Sequence, residues 1–183
     1  HPGSSKNTMV NAALVAIEFN SMLPSADTPR DTEEYEGFFH LDAMNGNVST
    51  AMLDYIIRDH DVASFDCRLK TMEHIAKILN EKWGEGTVKL TITEQYRNMK
   101  EIIDTCMELI DCATAACKEC GTPALITPIR GGTDGARLSF MGVPCPNLGT
   151  GGHAFHGPYE HITVEGMDIA VEVGLKIIEL FYK

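Results

Sequence analysis

Apolar residues recur along the first half of the chain in two different periods. Between Asn7 and Asn20, Val10, Leu14 and Ile17 are spaced by four and three, with Ala12 and Ala13 beside them, which predicts a helix. Ser21 to Glu36 carries two prolines and several acids and reads as a solvated loop. Gly37 to Met44 reads as a strand, and Asn45-Gly46 supplies a turn pair that tolerates positive φ. Asn47 to Asp59 returns as a second strand centred on Tyr55-Ile56-Ile57. From Val62 to Trp83, Phe65, Leu69, Met72, Ala76 and Leu79 mark one helical face, and Asp61 or Ser64 can cap it. Thr87 to Gln95 switches to period two, with Val88, Leu90 and Ile92 on one side and Lys89, Thr91 and Thr93 on the other, as in a half-buried strand.

After Asn98 the pattern changes. Ile102 to Cys120 predicts a helix closed by Gly121, with Pro123 beyond it. Ala124 to Ile129 is a short apolar strand, Arg137 to Met141 about one helical turn, and Pro144 to Leu148 a short extended run. Thr163 to Tyr182 closes the chain as a helix with Val164, Met167, Val171, Gly174, Ile178 and Phe181 on one face. The first series, helix, strand, strand, helix, strand, becomes a ferredoxin-like split βαβ sandwich if one strand precedes residue 1. The second reads as closing units of an α/β sheet. The predicted class is therefore α/β with an α+β first domain, divided at about 1–98 and 99–183.

Composition narrows the function classes. The chain has 183 residues, with 15 Lys and Arg against 26 Asp and Glu, a formal charge of −11. That balance argues against nucleic acid or an anionic membrane as partner, because both require a basic face. No stretch approaches the roughly 18 apolar residues of a membrane span. Six cysteines are too sparse for a disulfide scaffold, and four of them (Cys106, Cys112, Cys117, Cys120) share one helical segment. Reduced thiols of that kind predict a cytoplasmic protein. The start at His1-Pro2-Gly3, without Met, is read as a truncated or processed beginning.

Candidate chemistry concentrates in two glycine-rich stretches. The first is Ile126-Thr127-Pro128-Ile129-Arg130-Gly131-Gly132-Thr133-Asp134-Gly135. Arginine suits a carboxylate, and backbone N–H groups with the Thr133 hydroxyl suit a polarised carbonyl. The competing reading is a tight connection into a helix capped by Asp134. The second stretch is Gly151-Gly152-His153-Ala154-Phe155-His156-Gly157. His156 reads either as a zinc ligand on a loop or as an ordinary surface histidine. His153 and His161 lie nearby, but three loop histidines at these spacings match no closed structural zinc site. Cys117-Lys118-Glu119-Cys120 stands without a partner pair at a helix end and reads as structural. Tyr96-Arg97-Asn98 ends a strand at the domain junction, where clefts bind ligands. Nothing local distinguishes His1.

These motifs, taken in order, resemble the tripeptide aminopeptidases of the two-zinc M20 metallopeptidase family. The residues that carry the resemblance run along the whole chain: His-Pro-Gly-Ser-x-Lys-Asn-x-Met-Val-Asn-Ala at 1–12, Glu34 to Leu41, Tyr55 to Asp59, Tyr96 to Met99, Pro128 to Ala136, Leu138 to Gly142, and Pro144 to Asn147. The resemblance implies a lid or dimerisation domain followed by the C-terminal part of a phosphorylase/hydrolase-like catalytic domain. It implies that His156 is a zinc ligand. His1 becomes the lid histidine that reaches the partner subunit's active site, and Arg130, Asn98, Thr133 and Arg97 join the substrate-binding set. Two departures touch details. Lys100 stands where some members have arginine, and Pro158-Tyr159-Glu160-His161 replaces the more usual Lys-His-Glu-Phe.

The family's dinuclear centre also uses a His-x-Asp motif, a bridging Asp, a Glu-Glu pair and a further Asp, all ahead of the lid. Glu33-Glu34 lies inside a lid loop and takes no such role. The implied protein is a homodimer acting on tripeptides with two Zn²⁺ per complete site, of which this chain supplies one ligand. By itself the chain is then expected to be inactive. The alternative is a non-enzymatic dimerisation or binding module, because the lid layout exposes a strand edge and a helix face.

Overall fold

A computed structural model describes residues 1–94 and 98–182. The chain forms two compact units: His1–Thr93 with Pro128–Gly131, and Glu94–Thr127 with Gly132–Lys183.

The first unit opens with a single 3-10 turn at Pro2–Ser4, then helix α1 (Ala12–Ser21). The helix begins later than its apolar spacing suggests. The Asn11 side chain accepts hydrogen bonds from the N–H groups of Ala13 (3.0 Å) and Leu14, which fixes the start. Its buried stripe is Val15, Ala16 and Phe19, whereas Leu14 and Ile17 face outward. Strands β1 (Phe38–Gly46) and β2 (Ala51–Arg58) form an antiparallel hairpin in the register Phe38↔Arg58 to Gly46↔Ala51, with a bulge between Leu41 and Ala43. The turn is not Asn45-Gly46. It is Asn47 to Thr50, closed by Asn47 N–H to the Thr50 carbonyl at 2.7 Å and by the Asn47 side chain accepting from Ser49 N–H at 2.8 Å. Gly46 serves a different purpose, since a Cβ there would meet the Ala51 Cβ at 2.7 Å.

Helix α2 (Val62–Trp83) starts where Asp61 accepts from Ser64 N–H at 2.7 Å and stops at Gly84, whose φ is 108°. It buries Met72, Ile75, Ala76 and Leu79 against Val15 and Phe19 of α1 and Phe39 of β1. Among the described residues the alternating segment after it, Thr87 to Glu94, pairs with no strand, so the predicted third strand does not form there; Gln95 lies outside the described residues. Its alternation sorts the first side chains as expected, with Val88 and Leu90 packed on the core and Lys89 exposed, but Ile92 is 44% exposed. The Asn80 side chain takes the place of a ladder partner. Its amide donates to the Val88 carbonyl at 2.9 Å and its oxygen accepts from Val88 N–H at 2.8 Å.

Polar contacts link the helices of this unit. Lys82 and the Trp83 indole N–H (2.9 Å) both donate to the Glu18 carboxylate of α1. Hydrogen bonding from Lys82, then from Trp83, holds the Glu18 pKa below its ordinary 4.5. A depressed carboxylate pKa contributes stability above the unfolded-state value and loses it as pH falls through the folded-state value. The melting temperatures of the wild-type chain and E18Q are accordingly expected to differ at neutral pH and to converge as pH falls below 4.5. A constant gap across an acid series would contradict this.

The second unit is helical. The segment predicted as one helix from Ile102 is two, α3 (Lys100–Ile103) and α4 (Glu108–Glu119). At the break, the Thr105 hydroxyl and the Cys106 thiol both donate to the Ile102 carbonyl, competing with the helical ladder. Gly121, at φ 70°, follows the end of α4 as its sequence predicts. The run Ala124 to Ile129 is not a strand, and Leu125 is 81% exposed. An apolar strand of this kind needs flanking strands, and none pairs with it among the described residues. Helix α5 (Asp134–Phe140) precedes α6 (Val164–Tyr182). Helix α6 packs on α4, and its less exposed apolar positions are Ala170, Val173, Ile177 and Leu180, not the stripe its strongest residues suggest. Val173 is 5% exposed, while Ile178 on the opposite face is 68% exposed.

Candidate functional site

Arg130 belongs to the first unit. Its Nη1 donates to the Thr32 carbonyl at 2.6 Å, and its Nη2 donates to the Thr32 hydroxyl at 2.7 Å and the Glu36 carbonyl at 3.0 Å. The guanidinium carbon lies 5.2 Å from the centre of the Phe38 ring. Nε is buried and has no hydrogen-bond partner among the described residues. The adjoining Ile129 carbonyl faces Nε2 of His60 at 3.1 Å, and Nδ1 of the same ring faces the Tyr35 carbonyl at 3.2 Å. Loop 32–38 and His60 thus fix the backbone and the fork of Arg130. The sequence reading singled out none of these holders, because they lie 69 to 98 positions away along the chain. A guanidinium can take a carboxylate in bidentate fashion. Here the fork does so only by exchanging the oxygens of Thr32 and Glu36 for those of the ligand.

His1 is exposed. Its Nδ1 accepts from Gly3 N–H at 3.1 Å and caps the first 3-10 turn. Asn98 is exposed, and its side chain accepts from Lys100 N–H at 2.9 Å, at the start of α3. Arg97 lies outside the described residues.

Thr133 caps α5. Its hydroxyl oxygen accepts from Ala136 N–H and from the Asn147 amide, at 3.2 Å and 3.1 Å. The cap is Thr133 and not Asp134, which occupies the first turn. Gly135 is required by packing, since a Cβ on it would meet the Cys145 carbonyl oxygen at 2.5 Å. The buried Ser139 ties the same contact, donating to the Gly135 carbonyl and accepting from Cys145 N–H at 2.9 Å. The composition of this stretch therefore has a structural component: one glycine lets α5 meet the 145–147 run.

His156 sits at the tip of a closed loop. His153 and His161 exchange two backbone hydrogen bonds at the base, 2.8 Å and 3.1 Å, and their imidazoles stack with centroids 5.4 Å apart. Ala154 and His156 both adopt left-handed backbone, φ 55° and 64°. Glu160 spans the loop, accepting from His156 N–H at 3.1 Å. The His156 side chain is exposed. Among the described residues, no three His, Cys, Asp or Glu side chains gather into a group able to hold a metal ion. A stable zinc centre takes about four ligands. The residues present, one exposed imidazole, do not by themselves fit a zinc site.

The six cysteines are free, and no helix of the described residues is long and apolar enough to cross a membrane. The Tyr55 hydroxyl donates to Asn20 at 2.8 Å, and burial pushes its pKa up to about 12.

Residues 1–87 match the family model of the peptidase dimerisation domain, M20 class. That match covers just under half of the chain. Along its full length it is similar to Peptidase T: it is 52% identical over 183 residues to that of Alkaliphilus oremlandii (strain OhILAs), and 51% identical over 183 residues to that of Clostridium novyi (strain NT). Each match takes in 100% of this chain and 45% of the relative, so the chain spans less than half the length of these curated relatives. Two crystal structures share the fold. One is a tripeptidase from Staphylococcus aureus subsp. aureus Mu50, with TM-score 0.67 and 19% identity, covering 93% of this chain and 45% of that one. The other is aminopeptidase PepT from Bacillus cereus ATCC 10987, with TM-score 0.64 and 17% identity, covering 100% and 48%.

Proposed function

We propose that this chain is the lid or dimerisation domain and the C-terminal catalytic portion of a zinc-dependent aminopeptidase that releases the N-terminal residue from tripeptides. The observation that carries this reading is the full-length similarity to Peptidase T at 52% identity. In this reading Arg130, Asn98, Thr133 and Arg97 hold the tripeptide, and His1 reaches the site of a second copy in a homodimer. His156 contributes one donor to a metal centre whose other donors this chain does not hold. Zinc would supply a Lewis acid and an activated water there. Free thiols favour the cytoplasm as its place of action.

Two surfaces support an incomplete assembly. Leu125 and Ile126 are exposed in an apolar unpaired run, and α6 is apolar on both faces with Val171, Leu175 and Ile178 open. An exposed apolar helix face of this kind marks an interaction surface. The isolated chain is accordingly expected to release no N-terminal amino acid from a tripeptide when supplied with Zn²⁺. Chromatography of the products over an extended incubation measures this, and metal-dependent turnover by the purified chain would refute the reading.

The dimerisation-domain match over residues 1–87 favours one alternative, a module that pairs copies of the chain without catalysis. Light scattering across a concentration series tests this alternative. A chain that stays monomeric at every concentration removes the pairing module.

A further inference from the structure

The loop that carries His156 is held in a conformation that its own residues disfavour. Non-glycine residues pay a steric penalty for left-handed backbone, and the loop places two of them, Ala154 and His156, in that region within three positions. Such a geometry persists only where surrounding contacts over-determine it. Two sets of contacts do so here. At the base, the His153–His161 backbone pair and the stacked imidazoles close the loop, and the His161 Nδ1 lies 2.8 Å from the Tyr159 carbonyl. At the tip, Glu160 N–H donates to the Gly157 carbonyl at 3.1 Å, turning the chain so that the Glu160 carboxylate returns to His156 N–H, also at 3.1 Å. A hydrogen bond from N–H to an ionised carboxylate is stronger than one to a neutral acceptor.

We infer that Glu160 is a positioning residue for His156. The carboxylate pins the left-handed backbone of His156, and that backbone sets the direction in which the imidazole leaves the loop. The base contacts act at His153 and His161, whereas the Glu160 carboxylate is the contact that acts at His156 itself. The inference deepens the reading of His156 as a donor and rests on it for its functional meaning. Its physical content, a carboxylate that fixes one backbone angle, is measurable without metal or turnover.

The test is ¹⁵N and ¹³C NMR of the whole chain, comparing wild type, E160A and E160Q. In E160A the His156 amide proton is expected to shift upfield and its hydrogen exchange to accelerate at least about tenfold. The His156 Cα and Cβ shifts should also leave the left-handed range. E160Q keeps an oxygen acceptor and should restore most of the protection, which loss of general structure would not allow. Glu160 is exposed, so the melting temperature should hold in all three. An E160A chain whose His156 amide shift and exchange match wild type overturns the inference, as does an E160Q chain no better protected than E160A. The outcome is separable from the peptidase reading. An amide that responds in a chain with no part in peptide hydrolysis keeps the brace and discards the donor role, and the converse discards only the brace.

Discussion

Leu79→Ala is expected to destabilise the first unit by about 3 kcal/mol, within the roughly 2–5 kcal/mol range for emptying a buried leucine site. Leu79 is 0% exposed, at the centre of a cluster that includes Val15, Phe19, Phe39, Met72 and Ile75. Three elements meet at this side chain, α1, β1 and α2, so no single one can shift to fill the space. Against a total stability of about 5–15 kcal/mol for a domain, the loss is large. The single tryptophan gives a direct readout, because Trp83 belongs to this unit and packs against the cluster. Urea unfolding followed by its fluorescence should show a lower midpoint with unchanged slope. A midpoint within error of wild type would mean that the cluster is not the core of the unit.

Arg68→Ala should cost a comparable amount, about 3–5 kcal/mol, by a different mechanism. Arg68 Nε donates to Asp59 at 2.7 Å and Nη1 to Asp27 at 2.6 Å, and its guanidinium lies 5.1 Å from the centre of the Phe39 ring. Burial disfavours the charge on Arg68, yet its two carboxylate partners raise its pKa overall. The side chains are 16% exposed for Arg68 and 5% for Asp59, so the Asp59 pair is almost dry. Removing the cation leaves the Asp59 carboxylate buried, with the Asp61 N–H donating to it from 3.1 Å away. Charge, not packing, should then dominate the loss. The double variant R68M/D59N replaces the pair with neutral groups of similar size and should recover much of the stability lost in R68A. If the double variant is as unstable as R68A, the stranded carboxylate is not the cause. Gly37 depends on the same pair, because a Cβ there would collide with the Asp59 carboxylate.

How much of this was legible in the sequence depends on how far each determinant reaches. Helix α2 was readable almost residue by residue: the period placed Met72, Ala76 and Leu79 inside, Asp61 capped the start, and the chain broke just after Trp83. The hairpin was readable as two strands, but the turn moved from Asn45-Gly46 to Asn47–Thr50. Asn-Gly signals a turn locally, whereas the register is set by pairing, and the Asn47 side chain closes a four-residue turn that composition does not separate from its neighbour. Thr87 to Gln95 gave the correct sides for Val88 and Leu90 but not a strand, because alternation describes one chain and a ladder requires two.

Site residues divide in the same way. Arg130, Thr133 and His156 were noticed for their residue types and glycine neighbours, and the structure adds the groups that hold them. Thr32 and Glu36 hold Arg130 from distant sequence positions, and no short motif announces them. Glu160 is four residues from His156 across a Gly157-Pro158 turn, a spacing that could have suggested a carboxylate returning to the loop.

By itself, then, the sequence determined what short-range chemistry controls: where Asp61 can start a helix, that Gly121 can follow one, and which side chains of α2 are apolar. Caps and periodicities act within about one turn, so they are written into neighbouring letters. Tertiary structure alone decided which stripe of α1 and α6 is packed, where the hairpin turns, and which oxygens occupy the Arg130 fork. Those outcomes depend on what residues far along the chain bring to the same place, and burial is a property of that meeting and not of any one segment.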